Sequence, residues 1–181
     1  MKKLKNSELN RISVDDFKNS SKIPVVIILD NIRSAHNVGS IFRTSDAFLI
    51  TEIILCGITA TPPNKEIRKT ALGSTESVKW RYFENIKDAV LKLKKKYYHI
   101  ISIEQVKNSL SLESFKPKKN KKYALIFGNE VKGVSQEVID YSDDVIEIPQ
   151  FGTKHSLNVS ISAGIVIWDF FTKISFNRFD L

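Results

Sequence analysis

The chain has 181 residues, 42% of them hydrophobic and 27% charged, the balance of one globular domain long enough to bury a proper core. No apolar run approaches the ~20 residues of a membrane span, and the basic start MKKLKNSELNRISVDDF has no apolar stretch behind it, which argues against a secretory signal. A net charge of +8 and an isoelectric point near 9.5 favour a polyanionic partner, nucleic acid or an anionic surface.

Strand and helix alternate along the sequence. PVVIILD (24–30) is a continuous apolar run of the kind buried parallel strands show. A helix is predicted over about 37–49, with Val38, Ile41, Phe42, Ser45, Phe48 and Leu49 on its core arc and Arg43 on the opposite one. EIILCG follows as a strand; Cys56 in it has no disulfide partner and reads as a buried structural thiol, consistent with a reducing, cytoplasmic setting. PNKEIRKTALG is a short helix stopped by Gly73, VKWRYF a strand, and NIKDAVLKLKKKYY a helix with Ile86, Val90, Leu93 and Tyr97 along one face. HIISIEQ is the next strand, and the lysine-rich, Pro-containing stretch 106–122 reads as a loop. YALIFG, SQEVIDY and DVIEIP give strand, helix and strand, and FGTKHSLNVSISAGIVIWDFF leads into a closing helix that Ser156 is placed to cap. The small residues Ser160, Ser162, Ala163 and Gly164 permit close approach of a loop or a second subunit.

Six strands alternating with helices define an α/β fold, a mostly parallel sheet with helices on both faces. Ligands of such sheets gather beyond the carboxyl ends of the strands. LDNIRSAHN, FGNEVKG and IPQFGTKHSLN lie there, which predicts one composite site. The first loop carries Asn31, Arg33, His36 and Asn37, donors suited to phosphate and sugar oxygens. In the second, Gly128 lets another group approach the backbone and Glu130 supplies an acid. Neither a P-loop nor GxGxxG is present, which sets aside a nucleoside triphosphate and a conventional dinucleotide. Lys92, Lys94, Lys95 and Lys96, then Lys116, Lys118, Lys119, Lys121 and Lys122, are either a solvated helix end and loop or a phosphate-contacting surface.

Taken in order, Asn31-x-Arg33…Asn37-x-Gly39…Arg43, Phe127-Gly128-Asn129-Glu130…Gly133-Val134-Ser135 and Ile148-Pro149…Ser156-Leu157-Asn158-Val159-Ser160 resemble the three motifs of the SpoU/TrmH-like branch of the SPOUT RNA methyltransferases. The resemblance runs from about Pro24 to Phe171, and departs from the family's usual Met after Ile-Pro with Gln150. It implies a SPOUT-type domain over residues 24–181 with a C-terminal trefoil knot, after a short extension over 1–23. It implies transfer of methyl from S-adenosylmethionine to a ribose 2′-hydroxyl of tRNA or rRNA, by a homodimer, with neither membrane nor metal involved.

By motif match, Gly128, Asn129, Ile148 and Leu157 hold the cofactor, and Arg43, Asn37, Glu130, Ser156 and Asn158 form the catalytic set. Arg33, Lys118, Lys119, Lys121 and Lys122 are the expected RNA contacts, through phosphates. A guanidinium does not readily give up its proton, so Arg43 is expected to polarise the hydroxyl or fix a phosphate rather than act as a literal base. His155 is left outside the catalytic set. Three other readings stay open: a non-catalytic RNA-binding protein on this scaffold, a SPOUT enzyme methylating a base nitrogen, and an unrelated Rossmann-like binder of a small anion.

Overall fold

The computed structural model of the chain describes residues 1–175. Seven parallel strands form one sheet: β1 (Ile23–Asp30), β2 (Ile50–Cys56), β3 (Trp80–Phe83), β4 (Tyr98–Ile103), β5 (Leu110–Ser111), β6 (Lys122–Phe127) and β7 (Asp144–Glu147). Their order across the sheet is β3-β2-β1-β6-β4-β7-β5. The predicted sheet is therefore present, with every strand pairing parallel. One reading is corrected: the stretch 106–122, expected as loop throughout, contributes the edge strand β5. Two residues cannot show a periodicity, which is why β5 leaves no mark in the sequence.

The helices are α1 (Val14–Asn19), α2 (Ala35–Ala47), α3 (Lys65–Ala71), α4 (Ser74–Ser77), α5 (Ile86–Lys94), α6 (Gln136–Tyr141) and α7 (Val159–Ser175). They cover both faces of the sheet because successive side chains of a strand point to opposite sides. Val25, Ile27 and Leu29 of β1 pack with Val38, Ile41 and Phe42 of α2 and Val166, Ile167 and Phe170 of α7. Val26 and Ile28 meet Ala89, Val90 and Leu93 of α5 and Val138 of α6. Each such fully buried aliphatic or aromatic side chain contributes roughly 1.5–3 kcal/mol. Phe17 of α1 joins the first cluster, so the N-terminal extension is tied to the domain.

Cys56 is buried as expected; desolvation first, then the nearby Asp30 carboxylate, pushes its thiol up to about 12. Two helix ends fall short of their predicted limits. α2 stops at Ala47, leaving Phe48 as its half-buried C-cap. α5 stops at Lys94, and Tyr97, expected on its apolar face, sits beyond it in a left-handed conformation (φ +61°), 90% exposed. The capping of α7 also differs. Asn158, not Ser156, is the N-cap: its Oδ1 accepts from Ser160 N (2.9 Å) and Ser160 Oγ (2.7 Å). An amide beside the first helical residue reaches the free N–H groups that a serine three positions ahead of it does not.

Candidate active site

β1, β6, β4 and β7 end almost flush, with Leu29 opposite Phe127 and Ile103 opposite Ile146. Their exit loops therefore meet at one edge. The β6 exit is the hub. Asn129 and Gly133 exchange two backbone hydrogen bonds (3.1 and 2.8 Å), while Asn129 Oδ1 accepts from Val131 N (2.9 Å) and Lys132 N (3.0 Å). This folds the loop back so tightly that a Cβ on Gly128 would overlap the backbone of Gly133 and Val134. Asn129 Nδ2 then donates to the Asn31 carbonyl (2.8 Å), tying the loop to the β1 exit.

Glu130 fastens the same two loops. Its carboxylate accepts from Arg33 N (2.9 Å), Ser34 N (3.0 Å) and Asn37 Nδ2 (3.1 Å). Burial alone would raise its pKa, but the backbone donors Arg33, Glu130 and Ser34, with the Asn37 side chain, outweigh burial and hold the carboxyl below its ordinary value. Asn37 passes the connection on: its Oδ1 accepts from Asn158 Nδ2 (3.2 Å). One chain of hydrogen bonds, Glu130–Asn37–Asn158, thus links the loops after β6, β1 and β7.

Beside this chain lies a cleft of about 540 Å³, with Gly128, Asn129 and Glu130 on one wall and Ile148, Ser156 and Leu157 on the other. Its wall is unusual in its backbone. Among the described residues, no N–H from Ile148 to Leu157 donates to a protein group, and the only carbonyl there that accepts is that of His155, from Gln105 Nε2 (3.0 Å). Backbone groups left unpaired by the protein bind solvent or a ligand. A lining of free peptide groups with glycine at the strand end suits a ligand carrying a purine edge, hydroxyls and a zwitterion. The expected cofactor residues Gly128, Asn129, Ile148 and Leu157 all line it, so the cleft fits S-adenosylmethionine.

The structure also places residues that the sequence left unremarked. Glu104, following β4, accepts from Val134 N (2.8 Å) and Gln105 N (2.9 Å), and so buttresses the β6 loop from behind. An acid and an amide closing HIISIEQ at the carboxyl edge was the available signal. Three expected groups stand apart from the cleft. Arg43 is exposed on α2, as its helical arc predicts, and lines a separate cleft of about 960 Å³ with Arg11 and the α3–α4 turn. The Arg33 side chain is exposed, and only its backbone touches Glu130. Lys118, Lys119, Lys121 and Lys122 lie where β6 begins, at the opposite end of the sheet. Among the described residues no cluster of His, Cys, Asp and Glu is arranged to hold a metal ion, and no helix is long and apolar enough to cross a membrane.

The parallel sheet and the cleft between its strand exits define an α/β domain that holds its ligand at the carboxyl ends of the strands. Comparison with known proteins narrows this: residues 24–168 match the SpoU rRNA Methylase family, and the chain belongs to that family. It is 31% identical over 159 residues to the 23S rRNA (guanosine-2′-O-)-methyltransferase RlmB of Neisseria meningitidis, a match covering 87% of this chain and 62% of that protein. It is 33% identical over 173 residues to an uncharacterized tRNA/rRNA methyltransferase of Borreliella burgdorferi, covering 92% and 75%. Among solved structures, the AdoMet-bound rRNA methyltransferase from Sinorhizobium meliloti superposes with a TM-score of 0.76 at 25% identity, over 85% of this chain and 59% of that one.

Proposed function

We propose that the chain is an S-adenosylmethionine-dependent RNA methyltransferase that modifies a ribose 2′-hydroxyl of tRNA or rRNA, acting in the cytoplasm as a homodimer whose catalytic domain spans residues 24–181. One observation carries the reading: the Glu130–Asn37–Asn158 hydrogen-bond chain joins the three motif loops at the rim of a cleft lined by Gly128, Ile148 and Leu157. The named activities of the relatives point the same way.

When bound, S-adenosylmethionine supplies a methyl group activated on a sulfonium. The residues of this chain have to hold the ribose oxygen in line with that methyl, and alignment of this kind supplies much of a displacement's rate. Glu130, held ionised by its donors, fixes Asn37, and Asn37 fixes the Asn158 amide, so the rim is rigid before RNA arrives. Ser156 is exposed on the cleft wall, in reach of the incoming ribose. Arg43 polarises the 2′-hydroxyl or clamps the adjacent phosphate.

Arg43 lines a different cleft from the cofactor residues, so we assign it to the partner subunit's cofactor cleft. The surface for that partner is on α7, the helix packed beside α2. Ile161, Ile165 and Trp168 form an exposed apolar stripe, with Ile161 at 56% and Trp168 at 50% exposure, and a Cβ on Gly164 would meet nothing of its own chain. Gly164 thus leaves room for a neighbour, whereas Ala163 packs into the chain's own core. The passage of residues 148–158 beside the β6 loop is the place for the trefoil knot. Arg33 and Lys118, Lys119, Lys121 and Lys122 complete the reading as RNA contacts.

Alkaline hydrolysis tests the chemistry. A 2′-O-methyl group blocks cleavage of its own phosphodiester, so labelled methyl should be recovered in alkali-resistant dinucleotides. Label in mononucleotides would identify a base methyltransferase, and no label in RNA would identify a non-catalytic protein.

A further inference from the structure

Two lysine runs that are far apart in sequence become neighbours in the fold. Tyr98, the first residue of β4, pairs with Lys122, the first of β6. The residues leading into both strands therefore share the amino edge of the sheet, Lys95 and Lys96 on one side and Lys118, Lys119 and Lys121 on the other. All five are exposed, as is Lys122, and none of the six is ion-paired among the described residues. Lys94 differs: it reaches Asp143 (3.3 Å), which with Asp144 bounds the patch where β7 begins. Between the two runs stands Tyr97, 90% exposed, and Lys122 Nζ lies 5.7 Å from the Tyr98 ring.

An edge of unpaired lysines with an exposed aromatic ring among them fits a nucleic-acid backbone, cations for phosphates and a ring for a base. An anionic bilayer is a weaker match, because the patch offers no apolar residue to insert beyond one tyrosine. The patch is far from the cleft. β6 runs from Lys122 to Phe127, roughly 17 Å at 3.3 Å per residue, and the cofactor cleft begins only after it.

We propose that this amino edge is a second RNA-docking site, separate from the methylation site, that grips the backbone of a folded RNA while the target nucleotide sits at the carboxyl edge. The inference rests on the RNA methyltransferase reading of the cleft. It adds that recognition needs an RNA large enough to reach both ends of the sheet. A short oligonucleotide spanning only the target nucleotide reaches one of them.

The test uses the full chain with Lys95→Gln, Lys96→Gln, Lys119→Gln and Lys121→Gln together, all surface positions outside the cleft. Folded tRNA and rRNA-fragment transcripts, phosphatidylserine vesicles and S-adenosylmethionine are titrated in parallel across a salt series. The expected result is RNA affinity lower by about 10-fold or more and a salt slope shallower by about 3, at roughly 0.7–0.9 for each phosphate no longer neutralised, with cofactor binding unchanged. Unchanged RNA affinity and slope in a variant that still binds cofactor would overturn the second site while leaving the methyltransferase reading intact. Wild-type protein that binds the vesicles and neither RNA would overturn both. If the fourfold variant loses cofactor binding, the pairs Lys95→Gln/Lys96→Gln and Lys119→Gln/Lys121→Gln are read separately by the same criteria.

Discussion

Glu130 is the residue on which the three motif loops depend, and its removal gives the sharpest structural prediction. Glu130→Ala strands three donors, Arg33 N, Ser34 N and Asn37 Nδ2. Hydrogen bonds to a charged acceptor contribute about 1.5–3 kcal/mol each when sheltered. The Arg33 bond is exposed and the other two are only partly buried, and water replaces much of what the substitution removes. We therefore expect about 2–3 kcal/mol in total, or a fall in Tm of about 4–12 °C for a domain of this size. Glu130→Gln keeps an acceptor oxygen and should lose about half as much.

The charge also sets a pH dependence. The folded-state pKa of Glu130 lies below its ordinary value of 4.5, so its contribution is present above that value and disappears as pH falls through the lowered one. Thermal melts of wild type and both variants at about pH 7.5 and at successively lower pH give the comparison. The gap between wild type and Glu130→Gln should close under acid conditions. Methyl transfer should fall by about 100-fold in Glu130→Ala even well below its Tm, since Asn37 and Asn158 lose their anchor. A Glu130→Ala protein with wild-type Tm and wild-type turnover would refute the argument that this carboxylate organises the site.

Gly128→Ala drives a Cβ into the backbone of Gly133 and Val134, with no flexible side chain to move aside. We expect about 2–4 kcal/mol of destabilisation, seen as a lower denaturant midpoint, and loss of cofactor binding by calorimetry. Arg81→Ala leaves the buried Glu52 carboxylate without its two 2.6 Å guanidinium bonds, at a cost of about 2–4 kcal/mol in a chemical melt, with no effect on cofactor affinity. Ile161→Asp puts a charge in the α7 stripe. On the proposed dimer, sedimentation should show a monomer that still binds cofactor and has lost turnover, because Arg43 would no longer reach a partner's cleft.

Much of this was legible in the sequence because the physics is local. An unbroken apolar run such as PVVIILD announces a strand buried on both faces, and the opposite arcs of α2 separate Ile41 and Phe42 from Arg43 without reference to anything else in the chain. Motif order was enough to bring Gly128, Ile148 and Leu157 to one cleft. What escaped depends on distant partners. Asn158 was singled out, yet its double role as α7 cap and as donor to Asn37, 121 residues away in sequence, needs the fold to bring them together. Glu104 gains its meaning only when β4 and β6 become neighbours and Val134 N turns toward it. The lysines were visible as a count, but their gathering at the amino edge follows from the pairing of Tyr98 with Lys122.

The central claim is ribose methylation directed by Arg43, and nucleoside mass spectrometry tests it most directly. Purified protein is incubated with S-adenosylmethionine and unmodified tRNA transcripts or protein-free rRNA, and the RNA is digested to nucleosides. The account predicts a 2′-O-methylated nucleoside from one of the pools, lost in Arg43→Ala. The Tm of that variant should match wild type, because the Arg43 side chain is exposed on its own subunit and holds no part of that subunit's core. A base-methylated nucleoside, or a 2′-O-methylated product that Arg43→Ala still makes at the wild-type rate, would contradict it.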